Sequence, residues 1–395
     1  MPPEGLVMKD VTRLNSATLG RAPSRRSVNV PVERGSTVLF EDADMLYDET
    51  VKPTYGTDGL STQTELCRLI ADLEGAAESF ILPSGLAALT LPIFAFLKAG
   101  DEILIVNSTY APVRRFVETQ MKRFGVVPRY YDPKLSADEV LALATDATRM
   151  IYVESPGSLT FDIQDIPGIA KAAKARGILT LCDNTYGAGV LFKPLAHGVD
   201  LSMQALTKYV GGHSDVLIGS LSVTDPKLAK TIHATIKAFG FFTSADESYL
   251  AIRGLRSLHL RLKQSGDTAL RIAKWLQARP EVGFVVHPGL ESHPGHDIFA
   301  RDFTGSNGLF MVVFKGGDEK KSQDFLNKLE LFGKGFSWGG FESLAVYCEP
   351  QIRGRARLND EPDPYLSGSA IRFYVGLEDG DDLIADIEKA LEVFG

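Results

Sequence analysis

From residue 62 onward the chain switches repeatedly between two hydrophobic periods. Leu66, Leu69, Ile70 and Leu73 recur at helical spacing, and Thr62-x-x-Glu65 reads as the capping box that opens this amphipathic helix. Short apolar runs at 79–82, 102–107, 150–154, 178–183, 199–205 and 216–223 read as buried strands. Helical patterns fall between them at 85–97, at 112–124 with Pro112 in the first turn, behind Ser136-x-x-Glu139, and at 169–176 before Gly177. Apolar strands separated by helices predict an α/β unit, a mostly parallel sheet covered on both faces. Past about 245 the pattern changes. A long helical stretch at 249–276, strands at 284–287, 309–314 and 371–376, and helices at 324–331 and 381–394 predict a smaller C-terminal α+β domain. Residues 1–60 show no clear period, being basic at 21–26 and acidic at 41–49. A segment of that length beside a compact domain is expected to be functional, here an arm reaching onto a neighbouring subunit. The expected division is therefore 1–60, 61–245 and 246–395.

Composition narrows the classes. A chain of 395 residues is long for one core, so two domains are natural. The formal charge of −8 and the absence of a Lys/Arg cluster argue against a nucleic-acid surface. Cys67, Cys182 and Cys348 lie far apart without metal-ligand spacing, which predicts a reduced setting and no metal site. The sequence holds neither an apolar signal core nor a run of about 18 apolar residues, so a cytoplasmic protein without membrane contact is expected.

Chemistry concentrates at the predicted strand ends. Lys208 stands between two apolar runs, ahead of Gly211 and Gly212. A lysine held at the edge of an interior is partly desolvated, which lowers its pKa and exposes a nucleophilic amine; a lone lysine there would otherwise be a solvated strand end. Asp183 ends the apolar strand ILTLCD, where a carboxylate is costly unless paired, or it caps the next turn. Gly85 and Leu86 open a helix after a strand, a turn whose free N–H groups suit a phosphate. Arg372 lies alone in a strand bound for the core, and a bidentate clamp on a carboxylate is its natural use.

Together A-L-T-K-Y-V-G-G-H-S-D around Lys208, S-G-x-A at Ser84–Ala87, D-N-T at Asp183–Thr185 and S-W-G-G-x-E-S at Ser337–Ser343 resemble the Cys/Met-metabolism family of pyridoxal-phosphate enzymes. The resemblance covers about 28–392 and comes nearest to the cystathionine β-lyase branch, since γ-synthases and γ-lyases typically have leucine at the place of Trp338. It implies a fold-type-I PLP transferase fold, a pyridoxal 5'-phosphate cofactor, an amino-acid substrate and a homotetramer whose dimers share active sites. By the same resemblance Lys208 carries the cofactor, Asp183 pairs with its ring nitrogen, and Tyr110 stacks on the ring. Gly85 and Leu86 N–H, Thr207 and Thr185 belong to its surroundings, and Tyr55 serves the neighbouring subunit's phosphate. Ser337, Trp338 and Arg372 meet the substrate, with Arg372 on its α-carboxylate.

Two positions depart from the family. Thr57-Asp58 stands where β-lyases of the family carry arginine, and Ala205 replaces the serine expected three residues before the lysine. With the acidic run 41–49, Asp58 suggests a pocket end that receives a cation; the competing role is a turn cap. The expected activity is β-elimination from cystathionine. The alternatives are a γ-lyase acting on a cationic-tailed amino acid such as canavanine, and a non-catalytic binding module that keeps the fold.

Overall fold

The computed structural model describes residues 9–16, 27–48, 50–355, 358, 363–366 and 369–394; the basic run 21–26 and Glu49 lie outside these. The first part runs α1 (Asp10–Asn15), α2 (Ser61–Glu74), β1 (Glu78–Leu82), α3 (Gly85–Phe96), β2 (Glu102–Val106), α4 (Ala111–Thr119) and β3 (Val127–Tyr131). It continues through α5 (Ala137–Ala142), β4 (Thr148–Glu154), α6 (Ile166–Ala175), β5 (Leu179–Asp183), β6 (Leu201–Gln204), β7 (Gly219–Val223), α7 (Pro226–Phe239) and α8 (Ala245–Leu255). The second part comprises α9 (Leu258–Gln277), β8 (Val282–Val286), α10 (His296–Asp302), β9 (Leu309–Phe314), α11 (Glu319–Lys328), β10 (Leu344–Tyr347), α12 (Glu349–Ile352), β11 (Ala370–Tyr374) and α13 (Gly380–Leu391).

The large sheet has the order β1-β7-β6-β5-β4-β2-β3. Only β7 runs against its neighbours; the pairs β6–β5, β5–β4, β4–β2 and β2–β3 are parallel. Every residue of β2 is buried, as a strand covered on both faces requires. The parallel strands all end at one edge of the sheet. That edge carries Ser84, Tyr110, Glu154, Asp183 and Lys208, where ligands of such sheets bind. The smaller sheet is antiparallel, β10-β11-β9-β8, and α9 and α13 pack around a core that includes Phe310, Phe373, Leu383 and Ile387.

Several local expectations are corrected. Thr62 does not cap α2: it lies inside the helix and is buried. Its hydroxyl donates to Pro31 O and accepts the Glu33 N–H, tying the arm down, while Gln63 Oε1 takes the Leu60 N–H at the helix start. The stretch 249–276 is two helices, not one. The break follows Gly254, whose missing side chain lets the backbone press against Val210 and Gly211, and Arg261 Nη2 takes the Gly254 carbonyl at 2.8 Å. The arm is also not wholly irregular. α1 buries Leu14 and pairs Asp10 with Lys193 at 2.7 Å within the same chain.

Candidate active site

Lys208 sits in the turn between β6 and β7, its N–H on Ala205 O and its carbonyl taken by Gly212 N–H. Gly339 crosses directly over this turn; a Cβ there would lie 2.8 Å from the Lys208 carbonyl carbon and from Tyr209 N. The crossing brings the 337–340 loop to the amine, and Lys208 Nζ donates to Ser337 Oγ at 2.6 Å, with the Trp338 ring centroid 5.4 Å away. Burial and then the Arg372 charge lower the amine to about 8, against the opposing pull of Asp183. A substantial neutral fraction therefore exists near neutrality.

Asp183 ends β5 in the interior. Its Oδ1 accepts the Thr185 N–H at 3.0 Å and the Thr185 hydroxyl at 2.5 Å. Thr185 Oγ1 in turn accepts the Ala205 N–H at 2.9 Å, so Thr185 orients the aspartate and ties it to the strand that leads to Lys208. Burial raises the Asp183 carboxyl, while the Thr185 bonds and the Lys208 charge hold it back. Tyr110 begins α4 at the same edge, with its hydroxyl raised by burial and by the charges of Asp183 and Glu154.

At α3, Ser84 is the N-cap and its Oγ accepts the Ala87 N–H at 3.0 Å. The N–H groups of Gly85 and Leu86 precede it, where a helix has no acceptor of its own. Gly85 is required by its neighbour: a Cβ would sit 2.6 Å from Ala205 Cβ. Thr207 is differently placed from what the sequence suggested. Its hydroxyl donates to Ile218 O and accepts the Ile218 N–H, so it clasps β7 rather than standing free for a phosphate.

Arg372 enters from β11, buried, with Nη2 on Ser337 O at 2.9 Å. Its Nε has no partner among the described residues, and burial lowers the group. Ser337 thus joins the two, its hydroxyl on the lysine and its carbonyl on the arginine, at a φ of +80° that L residues rarely adopt. Tyr55 is exposed.

Asp58 is not available as expected. Its Oδ2 accepts the Thr54 N–H at 2.8 Å and the Thr54 hydroxyl at 2.7 Å, and its Oδ1 pairs with Lys237 Nζ at 2.9 Å. Burial would raise this carboxyl, but the Thr54 and Lys237 contacts outweigh it and hold it well below the usual range. The arrangement is that of the turn cap, with both oxygens engaged inside the chain.

Sequence reasoning missed Glu154. It ends β4 in register with Asp183 on β5, and its Oε2 accepts the Tyr110 N–H at 2.8 Å and the Tyr152 hydroxyl at 3.0 Å. The signal was present: a carboxylate closing an apolar strand, the same feature that singles out Asp183.

A desolvated amine, a buried carboxylate and an aromatic ring at one sheet edge, two amides at a helix start, and an arginine with an orphaned buried Nε fit an aldehyde cofactor with a phosphate and an amino-acid substrate. The class is a fold-type-I pyridoxal-phosphate enzyme. Residues 14–392 match the family described as Cys/Met metabolism PLP-dependent enzyme, and the chain belongs to that family. It is similar to the cystathionine beta-lyase of Bordetella avium, 37% identical over 96% of this chain and 96% of that protein. It is 35% identical to the human cystathionine gamma-lyase over 86% of this chain and 83% of that one. A solved structure of metB from Corynebacterium glutamicum superposes with a TM-score of 0.89 at 30% identity, covering 98% of this chain and 99% of that chain. The cofactor is pyridoxal 5'-phosphate, and the protein is an enzyme, which sets aside the non-catalytic module. Among the described residues no helix is long and apolar enough to cross a membrane.

Proposed function

We propose that the chain is a carbon–sulfur lyase that cleaves cystathionine at Cβ to give homocysteine, pyruvate and ammonia with uptake of water. The observation that carries the reading is the single residue Ser337 holding both Lys208 Nζ and Arg372 Nη2. A substrate whose α-carboxylate lies on the Arg372 guanidinium, in the two-bond geometry that arginine favours, presents its Cα hydrogen toward the Lys208 amine. When bound, pyridoxal phosphate supplies an electron sink adjacent to that Cα, and Asp183 keeps the sink's nitrogen protonated. Lys208 Nζ, with its pKa lowered to about 8, takes the Cα proton and can return one to the departing sulfur.

In this reading residues 61–245 bind the cofactor, 246–395 bring Ser337, Trp338 and Arg372, and the arm 1–60 carries Tyr55 to the phosphate of a neighbouring subunit in a cytoplasmic homotetramer. With Thr207 engaged and Ala205 lacking a hydroxyl, the phosphate rests on the Gly85 and Leu86 amides and on that neighbouring tyrosine. The canavanine alternative has lost the contact that motivated it, because Asp58 already has a cation in Lys237. Relatives named for β-cleavage match at 43% and 37% identity and one named for γ-cleavage at 35%, so the decisive test is the products. Cystathionine should yield pyruvate and homocysteine; 2-oxobutyrate and cysteine instead would overturn the assignment.

A further inference from the structure

Glu154 has no part in the reading above, yet it stands between the two strands that carry Asp183 and Tyr110. β4 lies between β5 and β2 in the sheet. Glu154 is paired in register with Asp183 on one side, so the two carboxyls leave neighbouring strands at one level. On the other side the chain leaving β2 passes Asn107–Thr109 and reaches Tyr110, whose own N–H lands on Glu154 Oε2 at 2.8 Å. The rest of that loop is tied elsewhere: Asn107 N–H to Tyr131 O, Thr109 N–H to Val106 O, and Ser108 O to the Ser158 N–H. The Glu154 bond holds the tyrosine's N–H, while the Tyr110 carbonyl takes the Val113 N–H at 3.0 Å at the start of α4. Tyr152 OH, two residues back on the same face, donates to the same oxygen at 3.0 Å and fixes the rotamer of the carboxyl.

We infer that Glu154 is a positioning residue for the reaction, setting through the Tyr110 backbone where the Tyr110 ring stands over the cofactor pocket. The inference rests on the proposed role of Tyr110 as the ring platform. Burial, and then the charge of Asp183 alongside, push the Glu154 carboxyl well above the usual range. Both bonds use a single oxygen of Glu154 as acceptor, and a carboxamide of the same length presents an oxygen in its place. A buried carboxyl with a purely structural role would act without regard to the side chain of Tyr110. Misplacement of a positioned group by about 1 Å can cost on the order of a hundredfold in rate.

The test compares E154A, E154Q, E154D, Y110A and the double variant E154A/Y110A, each purified and loaded with pyridoxal phosphate. Three quantities are read: thermal midpoint of the cofactor-free protein, the visible circular dichroism and dissociation constant of bound cofactor, and kcat and KM separately. E154A should lose about 10- to 100-fold in kcat, more than it loses in KM, with a weakened visible dichroic band. E154D retracts the acceptor from the Tyr110 amide and should fall with it, which keeps the test decisive if E154A does not fold. E154Q should recover most of the loss in kcat and the dichroic band. In the Y110A background, adding E154A should change kcat by less than about twofold. Equal losses in E154A and E154Q, a wild-type kcat in E154D, or additive losses in the double variant would overturn the inference alone. A wild-type kcat in Y110A would overturn the role of Tyr110, and the inference with it.

Discussion

Removing the Asp58 carboxylate should cost stability and leave substrate preference alone. In Asp58→Ala the Thr54 N–H and hydroxyl lose their acceptor and Lys237 loses its counter-ion. Hydrogen bonds to a charged acceptor contribute about 1.5–3 kcal/mol together with the penalty for what they leave unpaired. The ion pair adds little, because the Lys237 side chain is 42% exposed and water can replace its partner. The net expectation is about 2–3 kcal/mol, or a fall of about 2–4 °C in thermal midpoint for a chain of this length. The midpoint must be read at fixed cofactor and protein concentration, since both shift it. The pH dependence follows from the lowered carboxyl: its contribution is complete above the unfolded value near ~3.9 and is lost as pH falls through the folded value. The gap between wild type and Asp58→Asn should therefore close in acid. Meanwhile kcat/KM for cystathionine relative to canavanine should stay within about twofold in Asp58→Arg. An unchanged midpoint together with a tenfold or larger shift in that ratio would refute the turn-cap role and return Asp58 to the substrate.

The remaining predictions concern the reacting groups. Lys208→Ala should abolish turnover and the visible absorbance of bound cofactor; retained activity would remove the central residue of the reading. Asp183→Asn should keep the fold and lose about two to four decades in rate, and a variant within about threefold of wild type would refute the ring-nitrogen role. Arg372→Lys should lower kcat/KM about 10- to 100-fold, since lysine cannot make the planar two-bond clamp, whereas unchanged kinetics would make the arginine structural. In the cofactor-free protein the rate of pyridoxal-phosphate capture should rise with pH through about 8, as the Lys208 ammonium loses its proton. Because that value is depressed, stability should rise with pH between about 8 and the unfolded value of ~10.4; a capture rate that keeps rising about tenfold per pH unit across that window, instead of levelling off, would contradict a desolvated amine.

The elements legible in the sequence were those whose chemistry is local. β2, β5 and β9 are predominantly apolar, and Asp183 and Lys208 stand at the ends of such stretches, so both their place and their function could be read from neighbours in the chain. β3 was invisible because VPRYY is a half-buried edge strand with no apolar run, and β10 because four residues are too few to show a period. Asp58 stayed open between a substrate contact and a turn cap for a different reason. Its neighbours hold no cation, and its partner Lys237 comes from α7, a contact only the folded chain creates. Thr62 failed likewise, since its partners Pro31 and Glu33 lie in an arm that shows no pattern. Glu154 is the instructive omission, for the burial argument that found Asp183 applies to it unchanged.

The junction at Ser337 explains why the chain needs its second sheet for chemistry that begins on the first. Lys208 belongs to the large sheet and Arg372 to the small one, and a reaction at one Cα requires base and clamp to hold their separation to about half an ångström. Two contacts hold the parts in register: Gly339 lies on the Lys208 turn, and the Gly308 N–H reaches Tyr209 OH at 2.8 Å. Within the second part, Tyr374 OH donates to Gly340 O at 2.7 Å and fixes the loop that carries Ser337 beside the strand of Arg372. The φ of +80° at Ser337 and +91° at Gly339 are the backbone consequence. The loop must turn through the left-handed region to place one serine hydroxyl on the amine and the same residue's carbonyl on the guanidinium.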